Sequence, residues 1–66
     1  MSNISWPATL NQLIAGADLS REQAHAVMSE IMAGNATESQ IAAVLVALRA
    51  KGETADEMTG LVDAMV

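Results

Sequence analysis

The side chains able to carry chemistry are few, and their spacing gathers none of them into a catalytic set. His25 is the only histidine. At helical spacing it falls on a polar side beside Arg21 and Ser29, and with no Cys or second His it lacks partners for a metal site. A surface histidine accounts for it more simply than a general base does. Glu53, Asp56 and Glu57 cluster in sequence. A cation site needs more convergent oxygens than this stretch supplies, whereas acids at a helix start complement the positive end of its dipole. The four glycines are isolated and offer no Gly-rich run to cradle a phosphate. The residues therefore nominate no catalytic, cofactor-binding or metal-ligating position in the chain.

The elements that would position these side chains are punctuated in the sequence. A polar capping residue, an apolar pattern at 3.6-residue spacing and a closing Gly recur along the chain. Ser5 precedes Trp6-Pro7, and Pro suits a first helical turn. Ser20 with Gln23, Thr37 with Gln40, and Thr54 with Glu57 each write a capping box. Gly16, Gly34 and Gly52 mark the stops. The spacing predicts helices over residues 6–15, 21–33, 38–51 and 55–66, in a compact all-α four-helix domain with no period-2 strand pattern. Links of three to five residues predict antiparallel packing of sequential helices. The apolar stripes predict a core from Trp6, Leu10, Leu13, Ile14 and Leu19, then Ala24, Val27, Met28, Ile31 and Met32. Ile41, Val44, Leu45 and Leu48 add the third helix, and Met58, Leu61, Val62, Met65 and Val66 the fourth.

The third helix carries a second small, uncharged stripe: Ser39, Ala43, Val46 and Ala50. Two readings remain open. Either this helix is central with the others wrapped around it, or the stripe packs against another copy, since exposed apolar patches mark association sites. Gly60 lies off the fourth helix's apolar stripe, beside Ala64 one turn later. It is either tolerated at a cost of about 1 kcal/mol or marks a groove where another backbone approaches closely. The fourth helix has no closing signal, so the segment reads as the N-terminal part of a larger protein.

Composition narrows the partners. At 66 residues this is one domain, and a domain of that size buries only about 60% of its unfolded surface. It is 52% hydrophobic, with Trp6 its only aromatic residue and no Cys to staple it. A net charge of −5, with Arg21, Arg49 and Lys51 the only cations besides the single His, argues against nucleic acid and anionic membrane surfaces. The longest apolar run, Ile41 to Leu48, is far short of the roughly 20 residues of a spanning helix. Met1 to Ser5 holds neither a basic nor an apolar signal region, which with the missing Cys predicts a cytoplasmic protein.

Several phrases together carry a resemblance. They are Asp18-Leu19-Ser20, Ile31-Met32-Ala33-Gly34, Gln40-Ile41-Ala42-Ala43, the run Ala47-Leu48-Arg49-Ala50-Lys51-Gly52-Glu53-Thr54, and Gly60 with Ala64-Met65. From Trp6 to Met65 the chain resembles the N-terminal helical domain of the anthranilate phosphoribosyltransferase family. Pyrimidine-nucleoside phosphorylases share that domain, but usually without the Lys-Gly-Glu-Thr wording. Asn35 departs from the acidic residue the family often carries there. The resemblance implies a parent enzyme that transfers a phosphoribosyl group from phosphoribosyl pyrophosphate to anthranilate, with Mg²⁺, in tryptophan biosynthesis. It implies that the phosphate loop, metal-binding acids and substrate residues lie in an α/β catalytic domain beyond Val66. It also implies homodimerisation through the helical domain, the third helix included. An alternative is a stand-alone acidic helical interaction or acyl-carrier-like protein bearing a group on Ser20. Carriers have an Asp-Ser-Leu order after a long loop, whereas here the order is Asp18-Leu19-Ser20 after a short one.

Overall fold

A computed structural model describes residues 5–66. The expectation about a signal segment falls largely on residues 1–4, outside the described residues. Four helices follow in order: α1 Trp6–Ile14, α2 Arg21–Met32, α3 Glu38–Lys51 and α4 Ala55–Met65. Among the described residues there is no strand, and the class is all-α. Three of the four helices stop one residue before their expected ends, at the capping residues Ala15, Ala33 and Val66.

Each helix starts where a side chain satisfies backbone N–H groups that have no helical partner. Ser5 accepts from the Ala8 N–H, and Ser20, Thr37 and Thr54 accept from the N–H groups of Gln23, Gln40 and Glu57. Gln23, Gln40 and Glu57 return the bond to their own capping backbone, so all three capping boxes form.

The packing order differs from the sequence expectation. Short links were expected to set sequential helices side by side. Instead α1 packs on α3 and α2 on α4. The α2–α4 contact is set by Gly60, which lets the backbone of α2 come close: a Cβ there would stand 2.3 Å from the Arg21 carbonyl oxygen and 2.9 Å from the Ala24 Cβ. The groove suggested by Gly60 is thus filled from within, by α2.

Leu13, Leu19, Ala24, Val27, Val44 and Leu48 are buried. Trp6, Leu10, Ile31, Ala47 and Leu61 pack against the main cluster. Several residues expected in the core are exposed instead: Ile14, Met32, Leu45, Met58, Val62, Met65 and Val66. The correction is greatest on α4. Its buried positions are Glu57 and Gly60, with Leu61 and Ala64 partly covered, so of its expected apolar stripe only Leu61 reaches the core, and Met58, Val62, Met65 and Val66 are turned outward. Close backbone approach and a buried carboxylate fix the rotation of that helix, and hydrophobicity alone does not reveal either. No helix among the described residues is long and apolar enough to cross a membrane.

Candidate functional site

Two features stand out: a buried polar knot and an open apolar groove. The knot is built where three segments meet. The α1–α2 link brings Asp18 and Leu19, the end of α3 brings Lys51 and Gly52, and the start of α4 brings Thr54 and Glu57. Glu57 is fully buried. Its Oε2 accepts from the Leu19 N–H at 2.7 Å. Its Oε1 accepts from Lys51 Nζ at 2.8 Å and from the Thr54 N–H at 2.9 Å. Lys51 spends its other donors on Asp18 Oδ1 at 2.9 Å and the Gly52 carbonyl at 2.8 Å. Its side chain is only 5% exposed. Gly52 sits at φ 94°, ψ 119°, a conformation that side chains resist, and this turns the chain from α3 into α4.

The charges follow from this geometry. Burial pushes the Glu57 carboxyl up, but the bonds from Lys51, Leu19 and Thr54 together outweigh it, and the group titrates below its ordinary value. The bond to Glu57, foremost, holds the Lys51 ammonium above its ordinary value against a smaller opposing effect of burial. With each Lys51 donor engaged and both Glu57 oxygens accepting, the knot clasps the α1–α2 link, the end of α3 and the start of α4 together. A second buried carboxylate, Glu30, is 9% exposed, and its Oε2 has no hydrogen-bond partner among the described residues. At the surface, Arg21 pairs with Asp63 across α2 and α4.

The groove runs along the α1–α3 pair and measures about 860 Å³. Leu10, Leu13 and Ile14 line it from α1, and Ser39, Ala43, Val46 and Ala50 from α3. All four α3 residues singled out as a candidate interface therefore share one surface, and all are exposed. Val46 is 67% exposed and Ile14 75%. The fully wrapped α3 of the first reading does not occur, because only Val44 and Leu48 on α3 are buried. Sequence reasoning placed Ile14 in the core and missed it here. Its position in the last turn of α1, just before the chain bends at Gly16, was the available signal.

The remaining candidates stay apart. His25 is exposed, with only Ser29 Oγ near its Nδ1 at 3.4 Å. Glu53 and Asp56 are exposed, and among the described residues no three His, Cys, Asp or Glu side chains converge as a metal site. Ser20 Oγ accepts from the Gln23 N–H at 3.1 Å as a helix cap. Sequence reasoning gave Glu57 a capping role only. Lys51, six residues earlier, was the sign that it did more.

Residues 7–66 match the helical bundle domain of the glycosyl transferase family. Among curated relatives, an anthranilate phosphoribosyltransferase of Streptomyces griseus is 61% identical over 61 residues, 92% of this chain and 17% of that protein. Proteins of the same name from Nocardioides sp. and Arthrobacter sp. are 54% and 55% identical, over 92% and 94% of this chain and 18% of each protein. The chain thus spans less than a fifth of the length of the curated relatives it matches.

Proposed function

Since the chain belongs to the glycosyl transferase family through its helical bundle domain, we propose that it is the helical dimerisation domain of an anthranilate phosphoribosyltransferase. The parent reaction would join anthranilate and phosphoribosyl pyrophosphate into N-(5-phosphoribosyl)anthranilate and pyrophosphate, in the cytoplasm, as a step of tryptophan biosynthesis. The relatives' names and their 52–61% identity support the reaction. The α1–α3 groove supports the dimer. It is the observation that carries the reading, because small side chains on α3 allow another helix to approach closely while Ile14 and Val46 offer apolar contact.

The parent enzyme would use Mg²⁺, and among the described residues no three His, Cys, Asp or Glu side chains converge. Glu57 is the buried acid with the firmest geometry, and its oxygens are already taken. The ion, the phosphates and anthranilate would be held by the α/β catalytic domain, the second proposed partner of this chain. The carrier alternative gains nothing, because Ser20 is occupied as a cap.

Sedimentation of the full-length protein tests the dimer. Val46→Glu with Ala50→Glu places two carboxylates in the groove. Burying them unpaired costs several kcal/mol, so the assembly shifts to monomer while helicity is unchanged. A monomeric unmutated protein, or a double variant that remains dimeric, overturns the dimer. Absence of product from the full-length protein with anthranilate, phosphoribosyl pyrophosphate and Mg²⁺ overturns the activity.

A further inference from the structure

Among the described residues, the outward side of α4 is only half covered. Met58, Val62 and Met65 are 49%, 48% and 50% exposed, on one stripe of the helix. The helix cannot roll to bury them. Gly60 lies against the α2 backbone, and Glu57 is held by Lys51, Leu19 and Thr54. With its opposite arc locked, α4 presents this apolar stripe as a permanent surface.

We propose that this stripe docks on an apolar patch of the remainder of the same polypeptide, the larger domain outside residues 1–66. The proposal rests on reading the chain as one domain of a longer phosphoribosyltransferase, and it names the surface through which the two domains meet. Three observations select that occupant. More than four-fifths of each relative lies outside the matched segment, so a large neighbour in the same chain is close at hand. The surface assigned to a second copy is the α1–α3 groove, and none of its lining residues belongs to α4. Finally, two methionines flank Val62, and flexible thioethers fill irregular gaps well, as a contact between unlike domains requires.

Methionine oxidation by hydrogen peroxide, read by mass spectrometry, tests this in the full-length protein. A docked stripe oxidises at Met58 and Met65 roughly tenfold more slowly than the same protein in urea, because sulfoxide formation follows exposure. Val62→Lys undocks the stripe and brings both rates within about threefold of the unfolded reference. Since Val62 is half exposed here, the far-ultraviolet circular dichroism of that variant stays at the parent value. Rates near the unfolded reference in the unmutated protein overturn the proposal. So does protection that vanishes in the Val46→Glu, Ala50→Glu background, because a second copy would then be the cover. Protection that persists in a protein found to be monomeric supports the docking and sinks only the dimer. A reading frame that ends at Val66 sinks both.

Discussion

Glu57 is fully buried and ties three segments of the fold together. Removing one partner of a buried ion pair costs about 3–5 kcal/mol, and a chain of this size has roughly 3–10 kcal/mol in total. Glu57→Ala therefore lowers stability by about 3–5 kcal/mol in urea unfolding, enough to leave much of the chain unfolded. Its pH dependence has a definite sign. The folded-state carboxyl titrates below the ordinary glutamate value of about 4.3, so the unfolded chain takes up this proton first. The knot contributes fully above that ordinary value and loses its contribution as pH falls through the lower, folded-state value. Melting temperature measured from pH 6 to pH 2 falls over that window, and Glu57→Gln flattens the fall. Lys51 acts in the other direction: its contribution is complete below the ordinary lysine value and is lost as pH rises through the higher folded one. The capping role of Glu57 was legible in Thr54-x-x-Glu57. Its burial was not, because a capping box explains a Glu at that position without any lysine.

Between elements, the α2–α4 contact shows how a helix can be oriented against its own hydrophobic pattern. Gly60→Ala should gain about 1 kcal/mol from helix propensity alone. The added methyl would meet the Arg21 carbonyl oxygen at 2.3 Å, and a backbone atom cannot swing aside as a side-chain end can. Overpacking of this kind costs about 1–3 kcal/mol. The expected result is a net loss of stability, with the Arg21–Asp63 pair displaced; a variant that melts higher than the parent contradicts the contact. Helix positions were readable to within a residue because caps and glycines are local signals. The α4 face was misread because its two buried positions are Glu57 and Gly60, which no hydrophobicity pattern favours. Leu45 and Ile14 were misread for a related reason: apolar periodicity marks a side that is buried somewhere, without saying against what.

At the scale of the whole molecule, the apolar residues divide into a small core and two outward surfaces. Leu48→Ala, in the core, costs about 2–5 kcal/mol. Val62→Thr, on the α4 stripe, changes the stability of the 66-residue chain by less than about 0.5 kcal/mol. Chemical denaturation of the two variants side by side checks the division, and equal losses would contradict it. The small α3 stripe was legible because Ser39, Ala43, Val46 and Ala50 repeat at helical spacing. The order of packing was not legible, since link lengths constrain distance along the chain more than choice of neighbour. That order, first helix with third and second with fourth, leaves the two pairs interlaced. Neither half of the sequence contains a complete pair. As the chain leaves the ribosome, α1 must wait for α3 and α2 for α4, so at the midpoint of synthesis neither pair has its second helix.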